Sequence, residues 1–190
     1  MPQTDKSTSS PPQWRPDTFF THFRHRLAHV DALPQLALLG IVSGIATGLI
    51  AVAFRLAIEW PLEFFLPAQQ SEGFESLSLE SRLLLPLAGT ILLILVMRKR
   101  SKAQRQCGVG HVIERYQQHQ AHLPASNAIV QFFAGTLAAV SGHSVGREGP
   151  AVHLGATCSS LLGQKLGLPN NSLRIMVGCG VAAAIAASFN

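Results

Sequence analysis

The 190-residue sequence is 47% hydrophobic and only 13% charged, with a formal net charge of +5 and a mean hydropathy of +0.26. An ordinary soluble domain carries about 25% charged residues, so the composition excludes a typical water-soluble enzyme and points to a membrane protein. Its main basic run has no interleaved aromatics on which bases could stack, which argues against nucleic acid as a partner.

Residues 1–16, rich in Ser, Thr, Pro and Gln, have nothing to bury and are expected to form a disordered tail. From Asp17 the apolar residues Phe20, Phe23, Leu27 and Val30 recur at helical spacing, with Arg24, His25, Arg26 and His29 on other faces. This predicts an amphipathic helix over 17–31 on the inner membrane surface. The stretch lacks the apolar core of a cleaved signal peptide.

Residues 36–54 contain no charge and come close to the ~20 residues that cross a bilayer. Gly40, Gly44 and Gly48 repeat at the spacing that lets helix backbones approach closely. An acidic segment with Glu59, Glu63, Glu72, Glu75 and Glu80 follows, then a second apolar run over 83–97. That run is short for a lipid-facing span and holds Pro86 and Gly89, so it is expected to extend back through Ser81 and Arg82 or to be sheltered by protein. Arg98, Lys99, Arg100, Lys102 and Arg105 close it. Lysine and arginine excess marks the cytoplasmic side. The expectation is therefore a multi-pass protein of the cell membrane, with its N-terminus and 98–105 inside and 59–80 outside.

The pattern then changes to short, Gly-interrupted helices with polar edges, at 108–118, 127–142, 149–162 and 172–189. Pro124, Pro150 and Pro169 mark starts. The fold class expected is all-α, a polytopic bundle of tilted and broken helices, and such interrupted segments are where transporters build binding sites. The strongest functional signal is Gly146-Arg147-Glu148-Gly149-Pro150, two opposite charges between glycines with apolar sequence on both sides. A charge at membrane depth costs roughly 2.5–3.5 kcal/mol on insertion scales and marks function by default. A helix starting near Gly149 offers unpaired N–H groups and the positive end of its dipole, so the ligand expected there is an anion. Glu148 stands where that anion would sit and competes for the place when ionised.

The remaining candidates read as structure. Cys107, Cys158 and Cys179 show no paired spacing, and no disulfide is expected. His119 and His122 lack the further ligands of a metal site. His143 and His153 flank the glutamate motif, and packed, hydrogen-bonded structural roles outweigh a part in tuning its protonation. Asn170-Asn171-Ser172 matches a glycosylation sequon but reads more simply as a helix cap. Gly108 to Gly110 lacks the lysine of a phosphate loop, so no nucleotide, metal or other cofactor is expected.

Gly146-Arg147-Glu148-Gly149-Pro150 resembles the G-[KR]-E-G-P signature of the CLC family of chloride channels and proton-coupled chloride transporters. The Gly/Ala-rich stretch from Gly178 that ends in Phe189-Asn190 resembles another family landmark, and Cys107-Gly108-Val109-Gly110-His111-Val112 stands where the family usually has G-S-G-I-P. The resemblance runs from about Leu33 to Asn190, and it implies that 32–190 form the N-terminal part of a CLC-type transmembrane domain, incomplete at its C-terminus. It further implies transport of chloride or a similar small monovalent anion, coupling to protons, and a homodimer when full length. Glu148 becomes the gating residue, with anion contacts from the backbone around Gly108, Val109, Gly110, Gly146, Arg147 and Gly149. The departure is Val109, which offers no hydroxyl where the family has serine, so chloride preference does not carry over. Channel and exchanger both stay open. Two rivals remain: another secondary transporter built on an Arg147/Glu148 ion pair, and a membrane enzyme using Glu148 as acid or base, which lacks an accompanying nucleophile.

Overall fold

A computed structural model describes residues 33–65, 74 and 77–189. The expected tail and amphipathic helix therefore lie outside the described residues. Those described form six α-helices: α1 (Leu33–Phe65), α2 (Leu79–Arg98), α3 (Gly108–Gln118), α4 (Ala125–Val140), α5 (Glu148–Lys165) and α6 (Asn170–Phe189). The protein is an all-α membrane protein, and α1, α2 and α6 are each long and apolar enough to cross a bilayer.

Helix α1 has 33 residues, about 50 Å at 1.5 Å per residue, against a hydrocarbon core of about 30 Å. It must tilt or project beyond the core. The apolar run suggested an end near Phe54, but the helix continues through Arg55 and Glu59. These two sit one turn apart and pair, Arg55 Nε donating to Glu59 Oε1 at 2.8 Å. Leu39, Ser43, Thr47, Phe54 and Ile58 are buried on one face, whereas Leu38, Ile41, Val42, Ile45, Leu49, Val52 and Leu56 are exposed on the other. The steps of four and seven residues define one helical stripe towards protein, leaving an apolar face for lipid.

Helix α2 starts before its apolar run, with the Ser78 hydroxyl accepting from the Ser81 N–H at 3.4 Å. Nearly all its large side chains are exposed, and Gly89 is its buried residue. A Cβ at Gly89 would collide with Ser141, so this glycine seats α2 against the end of α4. At the far end Arg105 folds back, donating through Nε to Arg100 O (3.0 Å) and through Nη2 to Arg98 O (3.4 Å). That supplies partners to carbonyls the terminating helix leaves open.

Helix α5 is the hub, packed against α1, α3, α4 and α6, and it is buried from Ala151 to Ser160 on almost every face. Its small residues allow this. At the α5–α6 crossing a Cβ on Gly155 would stand 2.7 Å from Gly180 O and 2.7 Å from Thr47 Cγ2, so backbones meet there directly. Ser159 Oγ shares a 2.5 Å hydrogen bond with Ser43 Oγ of α1. Ser160 secures the turn between α3 and α4, donating to Ala121 O at 2.6 Å and accepting from Leu123 N at 2.9 Å. That turn holds Gln120 and Ala121 at φ of 53° and 63°, a left-handed conformation that costs of order 1–3 kcal/mol per non-glycine residue unless its surroundings fix it.

Candidate functional site

Helix α5 begins at Glu148, with Arg147 as an N-cap residue that makes no side-chain capping bond. Pro150 has no N–H, and the Ala151 N–H already donates to Arg147 O at 3.2 Å. The free donors of this terminus are thus the backbone N–H groups of Glu148 and Gly149, at the positive end of the helix dipole. The Glu148 carboxylate folds back over the preceding loop, where a Cβ on Gly146 would lie 2.6 Å from Oε2. Gly146 is what makes room for it. Gly146, Arg147 and Glu148 are exposed, and Gly149 is half-buried.

The second candidate segment heads α3. Cys107 is its N-cap residue without a side-chain capping bond, Gly108 has φ +83°, and Val109 and Gly110 are exposed. The left-handed conformation at Gly108 is one that a side chain would strain. Asn127 of α4 fixes this corner, its Nδ2 donating to Ala103 O (2.8 Å) and Gln106 O (2.7 Å). Burial pushes the Cys107 thiol above its usual range, keeping it a neutral donor to Asn127 O at 3.8 Å and Gln104 O at 3.9 Å.

His111 and His153 join the two segments, their ring centroids 5.5 Å apart. The contact sets the first turn of α3 beside the second turn of α5, so both uncapped termini belong to one region of the fold. His153 is completely buried, and neither ring nitrogen has a hydrogen-bond partner. It packs as expected, but without the hydrogen bonds anticipated for it. His143 does have them, through Thr90 Oγ1 (2.9 Å) and Ala138 O (3.2 Å), and it ties the Glu148 loop to α2 and α4. His119 and His122 lie in the turn after α3, joined by a backbone bond of 3.0 Å. The three cysteines are unpaired.

Arg147 does not pair with Glu148, as the rival transporter reading requires. Its Nη1 lies 3.5 Å from Glu59 Oε1. The loop carrying Glu148 therefore shares a side of the bundle with the C-terminal part of α1. Sequence reasoning missed this link because it ended the first span at residue 54 and left Glu59 in the acidic segment beyond it; the signal available was the i,i+4 spacing of Arg55 and Glu59.

The family model described as voltage gated chloride channel matches residues 88–190, which span the second half of α2 and every helix after it. The chain belongs to the CLC family. This CLC chain is also 33% identical over 164 residues to a ClcB-like protein of Ralstonia nicotianae whose name places it among the chloride channels. The alignment covers 82% of this chain and 38% of that relative, so the chain spans well under half of the relative's length. No solved structure gives a significant match. CLC membership and three candidate spans make this a multi-pass membrane protein.

Proposed function

We propose that this CLC chain supplies part of a transmembrane pathway for chloride or a similar small monovalent anion, gated by Glu148 and coupled to protons. The observation that carries the reading is the position of the Glu148 carboxylate, bent over Gly146 at the head of a helix whose first donors are free. An ionised carboxylate there competes with a mobile anion for the same N–H groups and dipole. Protonation removes its charge and releases the donors, so one residue both admits the anion and carries the proton. The name of the Ralstonia relative favours chloride as the anion. Backbone donors near Gly108, Val109 and Gly110 supply the central contact, and those around Gly146, Arg147 and Gly149 the outer one. No covalent chemistry is required.

Orientation follows from charge: the N-terminus and 98–105 face the cytoplasm, and 59–80 the outside. The Glu59–Arg147 contact supports putting the Glu148 loop on that same outer side. The working form is a homodimer of the full-length protein.

The test is Glu148→Gln in full-length protein reconstituted in liposomes. The amide keeps the shape of the side chain but cannot ionise, so anion flux persists, loses its dependence on external pH, and no longer drives proton movement. Retention of normal proton coupling by this variant would remove Glu148 from the role.

A further inference from the structure

Glu59 lies between two cations, accepting from Arg55 Nε at 2.8 Å and standing 3.5 Å from Arg147 Nη1. The three side chains are partly exposed, at 56% for Arg55, 48% for Arg147 and 31% for Glu59. Both arginines line a cavity of about 280 Å³, whose wall also includes Phe54, Ala151 and Ser188. A water molecule takes about 30 Å³ of the liquid, so the cavity admits a hydrated anion. Two guanidinium groups and one carboxylate give it a net positive charge, one residue away from Glu148.

We propose that Glu59 is a positioning residue that sets the affinity of this basin for the transported anion: it turns Arg147 towards α1 and offsets part of the positive charge facing the cavity. The inference rests on the reading of the protein as an anion transporter and adds to it a residue outside the glutamate motif. Guanidinium groups bind oxyanions and halides through the same forked donors that engage a carboxylate. Glu59 is therefore a tethered competitor, and its removal leaves both cations free to face the basin. A unit charge roughly 6 Å from an anion, in a water-like medium, changes its binding about threefold. Salt screens that effect, because the Debye length falls from about 30 Å at 0.01 M ionic strength to 8 Å at 0.15 M and 3 Å at 1 M.

The experiment measures chloride flux against chloride concentration for full-length protein in liposomes, at low and high ionic strength set by an impermeant salt. Glu59→Gln should lower the half-saturating chloride concentration about threefold at low ionic strength, more than it alters the maximal rate. The shift should fade at high ionic strength. Arg55→Gln removes charge of the opposite sign and should raise the same concentration by a similar factor, which keeps the test decisive if Glu59→Gln does not fold. Glu59→Asp, which keeps the charge, should restore native behaviour in part, and Glu59→Gln should have less effect when Arg147 is already glutamine. Equal half-saturation in native and variant proteins at low ionic strength would overturn the inference, as would a shift that salt does not weaken. A native protein with no saturable flux of chloride, nitrate or thiocyanate would instead defeat the transport reading on which the inference rests.

Discussion

Replacing Gly155 by alanine adds one methyl group at the tightest crossing in the bundle. Its carbon would lie 2.7 Å from Gly180 O, 2.7 Å from Thr47 Cγ2 and 2.8 Å from the Ala184 methyl, where ordinary contact begins at 3.4 Å. Two of these neighbours belong to α6 and one to α1, so the methyl is caught where both helices meet the Gly155 face of α5. The Gly180 carbonyl cannot rotate away because it is part of a helix backbone, and relief requires α5 and α6 to separate by several tenths of an ångström. Overpacking of this kind costs about 1–3 kcal/mol. Alanine in place of helical glycine returns roughly 0.5–1 kcal/mol, for a net loss of about 0–2.5 kcal/mol, against a gain at a glycine with open space. Gly178→Ala is the control, since no atom lies within 4 Å of a Cβ there and the propensity gain stands alone. Unfolding of both full-length variants in mixed detergent micelles, followed by near-UV circular dichroism, gives the comparison. Equal stability of the two would refute the argument that backbone contact at Gly155 holds α5 to α6.

Ser160→Ala leaves Ala121 O and Leu123 N without their side-chain partner in a buried turn, and should destabilise the protein by about 1–3 kcal/mol in the same unfolding assay. Val109→Ser adds a hydroxyl at the head of α3; a hydrogen bond to a charged group is worth about 1.5–3 kcal/mol, so relative fluxes of chloride, nitrate and thiocyanate should shift towards chloride. Unchanged selectivity would mean that Val109 does not face the anion. Single cysteines at Ser71 and Ser101 should react with a membrane-impermeant thiol reagent from opposite sides of intact cells, and equal labelling from outside would overturn the proposed orientation.

Helix identity was legible because its signals are local. The charge-free run of α1, the proline starts of α4, α5 and α6, and the basic stop after α2 each act within a turn or two. The head of α5 was also legible, since Gly146, Glu148 and Pro150 mark a helix start by their own chemistry. What stayed hidden depends on partners far apart in sequence. Asn127 looked like a helix-start residue, and only the fold reveals that its amide reaches back to Ala103 and Gln106. Ser160 lay within an apolar segment with no local sign that it would pin a strained turn 39 residues earlier. The rival reading set Arg147 against its sequence neighbour, yet its side chain meets Glu59 across the bundle. A pattern of residue types records burial and propensity; it does not record which distant donor meets which acceptor.

The reach of Asn127 has a consequence in time. The corner from Ala103 to Gln106 that aims the head of α3 is held by a side chain of α4, which leaves the ribosome later. The Glu148 end of α5 meets a carboxylate of α1, which was made earlier. During synthesis the first half of the candidate anion pathway therefore waits for residues that follow it, while the second half docks on a helix already in place. The two halves close in opposite directions along the chain: α3 is completed by a residue of the later helix α4, and α5 docks onto the earlier helix α1.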